Sequence, residues 1–355
     1  MTADPRPVVR LRPKADPRPV RHGAPWVFAD EVVLDRRTRA LAPGTVATLE
    51  DAGRQPLATV AVNPGSKIAL RVLDRDPGAE IGPDWLRARL AAALDLRARL
   101  YEAPFYRLVH GEGDGLPGVV IDRFGDTAVI QPNAAWAEAA LGPLAEALAA
   151  VTGVRHVLKN AASRARALEG LDDANAVLTG QAPDGPVPVE MTGATYLADL
   201  TGGQKTGLYY DQRPNHAFAA RLARGARMLD VFSHAGGFSL AALAGGAEAA
   251  LAVDGSAAAL ELAQGGATRT GVADRFATRR GGAFERALYM NQQVQDQPKK
   301  FKQRVALLLD QRRFEQLSSL ENRLSRLDLL DDQKILYTLA YARFQTGDYE
   351  DTERL

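Results

Sequence analysis

The sequence contains no cysteine among its 355 residues. This absence excludes disulfide bonds, thiolate metal sites and thiolate nucleophiles formed by the chain itself. The histidines are scattered and lack the spacing of a metal-ligand set. They are His22, His110, His156, His216 and His234. We therefore predict no metal site, and we expect each histidine to be structural or exposed.

Long hydrophobic runs are also absent. No segment approaches the roughly 20 apolar residues that a membrane-spanning helix needs. The N-terminus lacks the apolar core of a signal peptide. We expect a cytoplasmic protein without a membrane partner.

The chain has almost no excess of one charge, with 44 Lys and Arg against 43 Asp and Glu and a net charge of +1. No overall field attracts nucleic acid, so any contact with RNA must come from local groups of arginine. Basic residues gather near the start of the chain, although a solvated surface is the simpler interpretation of any one of them. They are Arg10, Arg12, Lys14, Arg18 and Arg21.

The most informative segment present is MLDVFSHAGGFS at residues 228–239. Its apolar start predicts a strand from Met228 to Phe232, and a helix should follow the glycines. Gly236 and Gly237 would let the backbone approach a ligand closely, and the helix N-terminus offers unpaired N–H groups. Asp254 falls where the next parallel strand would end, and there a carboxylate can accept hydrogen bonds from ribose hydroxyls. This pattern is typical of a site for an adenosine-containing cofactor.

The dinucleotide fingerprint is missing, because Phe238, Ser239 and Leu240 follow the glycine pair where G-x-G-x-x-G needs a further glycine. Without a pyrophosphate cradle, S-adenosylmethionine is the cofactor that fits best. The alternative is a structural strand–turn–helix that binds no ligand, since isolated glycine-rich turns are weak indicators.

The order of the predicted elements indicates an α/β multidomain fold. Residues 1–74 alternate short apolar runs with Pro and Gly turns, as in a small β barrel. Residues 75–188 begin with a helix near Trp85 to Tyr101 and continue as a compact α+β module. Residues 189–286 alternate strands with Ala-rich helices, as a parallel sheet requires. Residues 287–355 are expected to be all-α.

The composition changes abruptly at the last boundary. The chain is rich in Ala, Gly and Arg up to about Leu288, whereas Gln, Leu, Asp and Lys dominate from Tyr289 onward. In this tail Phe301, Val305, Leu308 and Leu309 recur at helical spacing. The final LAYARFQTGDYEDTERL resembles a tetratricopeptide repeat, and a single repeat cannot bury its own face. We interpret the tail as foreign to the rest, joined by gene fusion or by an assembly error.

Four matches in order carry a resemblance to a known family. They are PWVFADEV at residues 25–32, GEGDGLPGVVIDRFGD at 111–126, GGQKTGLYYDQRPN at 202–215, and DVFSHAGGFSLAAL with LAVDGS at 230–256. On these motifs the part up to about residue 285 is identified as a member of the bacterial class I S-adenosylmethionine-dependent methyltransferases that modify cytosine C5 in large-subunit ribosomal RNA. The family consists of an RNA-binding PUA domain, a central RRM-like module and a Rossmann-like methyltransferase sheet, which is incomplete here.

The resemblance implies specific site residues. Cofactor contacts fall on Ser233, Gly236, Gly237 and Phe238, with Asp254 on the ribose. Three further residues would line the same cleft, although a surface salt bridge of Asp211 with its basic neighbours is the simpler alternative: Lys205, Asp211 and Arg213. Arg18, Arg21 and Trp26 would help the PUA domain to hold ribosomal RNA, with a core position as the alternative for Trp26.

The chain departs from this family after the third strand, near Arg275 to Arg280. Gly281 and Gly282 stand where the family has an acidic residue that contacts adenine, and neither Asp-Pro-Pro nor a catalytic Cys follows. Cytosine C5 becomes nucleophilic only after a thiolate adds to C6, so we predict no catalytic residue and doubtful activity. Two alternatives remain open: a noncatalytic RNA-binding protein, and an interaction protein whose helical tail binds a protein partner.

Overall fold

A computed structural model describes residues 6–202 and 207–281, together with Val305 and Leu308. Contacts between Cα atoms divide the chain into two compact units. The first consists of residues 1–252 and 256–279, and the second of residues 253–255 and 280–355. Within the described ranges, no helix is long and apolar enough to cross a membrane.

The N-terminal module is a five-stranded sheet with the order β1-β3-β4-β5-β2. Its strands are β1 Val8–Arg10, β2 Trp26–Phe28, β3 Thr45–Glu50, β4 Pro56–Val62 and β5 Ile68–Asp74. β1 pairs with β3 in parallel and the other neighbours are antiparallel. Two short helices complete it, α1 Arg18–Arg21 and α2 Arg36–Arg39. The short apolar runs at residues 26–28, 46–49, 59–62 and 68–72 form β2 to β5, as expected for a module rich in short strands.

The central module combines four helices with a second five-stranded sheet of order β10-β9-β8-β7-β6. The strands are β6 Phe105–His110, β7 Val119–Phe124, β8 Thr127–Pro132, β9 His156–Lys159 and β10 Ala176–Thr179. A long helix, α3 Pro83–Leu100, precedes them, and α4 Ala135–Ala139, α5 Leu141–Thr152 and α6 Arg164–Leu168 lie between or after them. β8 and β9 are parallel, so α4 and α5 supply the crossover that such a pair requires. The predicted α+β organisation is confirmed.

The α/β module begins with an antiparallel hairpin and continues as strands that alternate with helices. Its elements are β11 Val187–Met191, β12 Ala194–Ala198, α7 Arg213–Leu222, β13 Arg227–Val231, α8 Gly237–Ala244, β14 Ala249–Asp254, α9 Ala257–Thr270 and β15 Phe276–Arg280. The three-stranded sheet has the order β13-β14-β15. Buried Ala and Leu side chains of α8 and α9 share one hydrophobic core with the hairpin and this sheet. The predicted alternation is therefore present.

Three predicted strand limits are wrong by one residue, the first being the start of β13 at Arg227 rather than Met228. The first strand of the α/β sheet ends at Val231, because Phe232 has a left-handed φ of +64° and is 73% exposed. The third begins at Phe276, because Arg275 belongs to a short 3₁₀ turn. Among the described strands, β13 lies at one end of this sheet.

The second unit is described at only a few positions. The Gly281 N–H donates to the Asp254 carbonyl at 3.0 Å, and the Arg280 Nε donates to the Gly255 carbonyl at 3.2 Å. Val305 and Leu308 are helical and buried. The rest of the tail, including the predicted tetratricopeptide-like repeat, lies outside the described residues.

A buried carboxylate joins the N-terminal and central modules. Glu169, which follows α6, accepts hydrogen bonds from Arg71 at 2.9 Å and from the Asn63 amide at 2.9 Å. The Ser66 hydroxyl donates at 3.4 Å to Oε1 of Glu169, the same oxygen that accepts from Arg71. Arg71 also donates to Glu112 at 3.2 Å. Because the Arg71 guanidinium is largely removed from water, its charge must be neutralised by the Glu169 and Glu112 carboxylates.

We predict that Glu169→Ala lowers the free energy of unfolding by about 3 kcal/mol, because it removes one of the two carboxylates that neutralise the largely buried Arg71 guanidinium. Urea unfolding followed by tryptophan fluorescence measures this directly, since Trp26, Trp85 and Trp136 all lie in these two modules. Glu146→Ala, on the exposed face of α5, is the matched control. Equal midpoints for the two variants would contradict the role given to Glu169.

Candidate functional site

The candidate site is the turn that follows β13. Phe232 and His234 adopt left-handed φ values of +64° and +48°, and Gly236 has a φ of +77°. Non-glycine residues rarely occupy this region, and each costs on the order of 1 kcal/mol or more. Left-handed conformations at these three positions reverse the chain sharply, so that α8 starts at Gly237 directly after the turn.

The protein itself fills the space beside both glycines of the turn. A Cβ on Gly236 would lie 3.1 Å from the Ala263 Cβ of α9, and a Cβ on Gly237 would lie 2.5 Å from Nε2 of His216. The sequence pattern assigned both glycines to the close approach of a ligand. The structure adds a second reason, because Gly236 needs its left-handed φ and Gly237 makes room for an imidazole.

A buried carboxylate stabilises the first turn of α8. Asp230, in β13, accepts hydrogen bonds from the Ser239 N–H at 3.0 Å and from the Ser239 hydroxyl at 2.9 Å. A negative charge at this end of a helix also interacts favourably with the helix dipole. Sequence analysis missed Asp230. The available signal was an acidic residue inside an otherwise apolar strand, nine residues before a serine at the start of a helix.

The Ser233 hydroxyl is the observation that points to a ligand. Ser233 is 5% exposed, and its Oγ has no hydrogen-bond partner among the described residues. A buried hydroxyl without a partner costs about 1–3 kcal/mol, and such groups in folded proteins usually meet water or a ligand. Ser233 lies four residues before the start of α8, whose first N–H groups lack intrahelical acceptors.

His216 packs under this turn from α7. It is 4% exposed, and its ring meets the Phe238 ring edge-on with centroids 4.5 Å apart. Burial lowers the pKa of His216 from its ordinary value of 6.5 to about 4, so the imidazole is neutral at physiological pH. Of the histidines expected to be structural or exposed, His216 is buried, and His22 and His110 are exposed.

Asp254 is the last residue of β14, as predicted, and β14 lies beside β13 in the sheet. The side chain is partly exposed. Its assignment to a ribose stays a prediction.

Two of the three other residues predicted for the cleft, Asp211 and Arg213, lie among the described residues. Arg213, the first residue of α7, donates to the Phe105 carbonyl at 3.0 Å, and its guanidinium lies 4.5 Å from the centre of the Tyr101 ring. These contacts attach α7 to the central module. Asp211 is exposed in the preceding 3₁₀ turn, and the ion pairs among described residues do not include one between it and Arg213. Lys205 lies outside the described residues.

The residues predicted to hold RNA lie on the surface of the N-terminal module. Arg18 pairs with Asp16 at 2.8 Å and Arg21 pairs with Asp51 at 3.1 Å. Trp26 is 40% exposed on the edge strand β2, so the alternative that placed it in the core is wrong.

The Trp26 indole N–H donates to Glu112 of the central module at 2.8 Å. Phe28, two residues further along β2 and therefore on the same face, is 46% exposed and was missed by the sequence analysis. In the residues that the structure describes, no group of three or more His, Asp or Glu side chains could hold a metal ion.

Two family models match the chain. Residues 9–75 match a PUA-like domain, and residues 140–277 match an S-adenosylmethionine-dependent methyltransferase. Among similar proteins, the ribosomal RNA large subunit methyltransferase I of Cronobacter sakazakii is 36% identical over 243 residues, which are 68% of this chain and 61% of that protein. The protein of the same name from Alteromonas mediterranea is 36% identical over 259 residues, 72% of this chain and 64% of the relative. The chain thus spans just under two thirds of the length of these relatives.

Solved structures show the same fold. A SAM-dependent methyltransferase structure from Streptococcus mutans matches with a TM-score of 0.68 and 18% identity, covering 81% of this chain and 74% of that one. A methyltransferase structure complexed with SAH matches with a TM-score of 0.68 and 18% identity, covering 81% of this chain and 73% of the other. At this identity the likeness establishes the fold alone.

We predict that His216 makes the chain sensitive to acid. Its folded-state pKa of about 4 lies below the 6.5 of the unfolded chain, so between these values only the unfolded chain binds the proton. Stability should therefore fall as the pH drops through this window, by about 2 kcal/mol at pH 5 relative to neutral pH from this group alone.

Urea unfolding at pH 7.5 and pH 5 measures the effect. His216→Phe should lose less stability between the two pH values than the wild type does, because phenylalanine does not titrate. The exposed His22→Phe should behave as the wild type. An undiminished loss in His216→Phe would show that the imidazole is not buried in its neutral form.

Proposed function

We propose that this chain, which joins a PUA-like domain to an S-adenosylmethionine-dependent methyltransferase domain, binds S-adenosylmethionine at the turn after β13 and recognises ribosomal RNA. The observation that carries the cofactor site is the buried Ser233 hydroxyl, which precedes the N-terminus of α8 and has no hydrogen-bond partner among the described residues. S-adenosylmethionine would supply a methyl group activated by its sulfonium.

The residues present suit the carboxylate and the ribose of this cofactor. The first N–H groups of a helix have no intrahelical acceptor and can bind a carboxylate. In α8 the Ser239 N–H already donates to Asp230, so the N–H groups of Gly237 and Phe238 are the ones proposed to bind the cofactor. The Ser233 hydroxyl adds a donor or acceptor in the same turn. Asp254, at the end of the neighbouring strand, would accept hydrogen bonds from the ribose hydroxyls.

Recognition of RNA is proposed for the exposed face of β2. Aromatic rings stack on unpaired bases without requiring a particular sequence, and Trp26 and Phe28 are exposed on one face of an edge strand. Arg18 and Arg21 can contribute phosphate contacts, for which the RNA would compete with Asp16 and Asp51. The names of the relatives support ribosomal RNA as the substrate.

The position methylated on the RNA is a finer proposal. The resemblance implies cytosine C5, whose methylation needs a thiolate to add to C6. The chain contains no cysteine. We therefore propose that its residues supply cofactor and RNA binding. The same observation favours a second candidate function, an RNA-binding protein without catalysis.

The cofactor proposal predicts that S-adenosylhomocysteine binds the full chain in the micromolar range and that Asp254→Ala weakens binding at least tenfold. A hydrogen bond to a charged group contributes about 1.5–3 kcal/mol, which corresponds to that loss. Isothermal titration calorimetry provides the measurement. Asp274→Ala removes an exposed carboxylate from the 3₁₀ turn beyond α9 and is the matched control.

Absence of binding by the folded wild-type chain would overturn the cofactor proposal. If RNA binding persisted in that case, the second candidate would be the better description. If the wild type binds, transfer of a tritiated methyl group to ribosomal RNA decides between catalysis and binding alone.

The RNA proposal predicts that Trp26→Ala weakens the binding of single-stranded ribosomal RNA fragments about tenfold or more, because one stacked base contributes about 1–3 kcal/mol. Trp26→Phe should retain most of the affinity, since it keeps an aromatic ring. Fluorescence anisotropy with a labelled RNA measures both variants. Leu96→Ala, at an exposed apolar position of α3, is the control. Equal affinities for Trp26→Ala and Leu96→Ala would exclude this surface.

A further inference from the structure

Tyr196 reaches the candidate site from the β11–β12 hairpin. Its side chain is fully buried, and its hydroxyl donates to the Gly237 carbonyl at 3.2 Å. The Thr192 hydroxyl lies 2.8 Å from the same phenolic oxygen. Burial raises the pKa of Tyr196 to about 12, so the phenol keeps its proton and remains a donor at neutral pH.

His216, in α7, contacts Gly237 and also the next residue, Phe238. Its imidazole fills the space that a Cβ of Gly237 would need and meets the Phe238 ring. The Tyr196 and His216 rings are themselves stacked, with centroids 6.3 Å apart and an interplanar angle of 22°. The Gly237–Phe238 segment is therefore held by a hydrogen bond on its carbonyl and by a ring against its backbone.

The bond that Tyr196 makes has a geometric consequence for the next residue. The Gly237 carbonyl and the Phe238 N–H belong to one planar peptide group. A hydrogen bond that anchors the carbonyl oxygen therefore also sets the direction of the Phe238 N–H. This N–H is one of the helix N-terminal groups proposed above to bind the cofactor.

His216 is polar at a buried position where an apolar ring would pack at a lower cost in free energy. Nδ1 of His216 is buried without a partner in the part of the chain that the structure describes. A buried ring nitrogen without a partner costs on the order of 1 kcal/mol or more. This cost, next to the Gly237–Phe238 peptide, indicates a requirement other than filling the core.

We infer that Tyr196 and His216 are positioning residues that clamp the Gly237–Phe238 peptide, so that its N–H is held ready for S-adenosylmethionine. Neither side chain needs to touch the cofactor itself. This inference rests on the proposed function, because the peptide matters for binding only if the cofactor occupies this turn.

The test compares Tyr196→Phe with the wild type by titration calorimetry with S-adenosylhomocysteine. The substitution removes the phenolic oxygen that anchors Gly237 and keeps the stacked ring, so we expect binding to weaken about three- to tenfold. His216→Ala should weaken it further, and His216→Phe should restore part of the loss by replacing the ring. Val272→Ala removes buried atoms beyond the far end of α9 and should destabilise the module without changing affinity.

Hydrogen exchange measured by mass spectrometry provides a readout that does not depend on a ligand. Tyr196→Phe should speed exchange in a peptide that covers residues 237–239, whereas Val272→Ala should not do so selectively.

The possible failures are distinguishable. A wild-type chain that does not bind S-adenosylhomocysteine overturns the proposed function and the ligand-binding part of the clamp. A wild-type chain that binds, with Tyr196→Phe equal to it in affinity and in exchange, overturns the clamp alone.

Discussion

The buried Glu169 carboxylate is the contact on which the arrangement of the first two modules depends. Asn63 and Arg71 of the N-terminal module both donate to it, although it belongs to the central module. Arg71 in turn donates to Glu112, which also accepts the Trp26 indole N–H. One desolvated guanidinium therefore links the joint between modules to the exposed aromatic face of β2. A surface that recognises RNA can position it relative to the rest of the chain only if such a joint is rigid.

The joint between the central and α/β modules uses the segment that resembles a family signature. The Tyr210 hydroxyl donates to the Arg123 carbonyl at 2.9 Å, and its ring packs on Phe124 with centroids 5.2 Å apart. Arg213 donates to the Phe105 carbonyl and stacks on Tyr101. At least part of the motif at residues 202–215 therefore connects modules. A motif that precedes a cofactor site can serve it indirectly, by fixing the domain that carries the site.

Local sequence patterns predicted the strand, turn and helix of the site, but not the contacts with distant residues that make particular residue types necessary there. The strand, the glycine pair and the position of Asp254 follow from hydrophobic runs and turn residues within a short window. The neighbour that makes glycine necessary at position 237 is His216, 21 residues earlier and in another helix. Trp26 was wrongly considered for the core because apolar character does not reveal that β2 is an edge strand. Asp230 was missed because its hydrogen bonds with Ser239 form only once the chain reverses after the strand.

The distribution of backbone strain connects these observations. In the described ranges, the non-glycine residues with positive φ are Arg54, Thr192, Phe232 and His234. Phe232 and His234 belong to the turn after β13, whereas Thr192 is the first residue of the two-residue turn between β11 and β12, which requires a positive φ. Strained conformations persist only where surrounding contacts over-determine them, and they concentrate at functional sites. Two of the four lie in this turn, on either side of Ser233, whose buried hydroxyl has no hydrogen-bond partner among the described residues. A turn that served only to connect a strand to a helix would need neither two strained residues nor a buried hydroxyl without a protein partner. These features therefore favour a ligand site over the purely structural alternative.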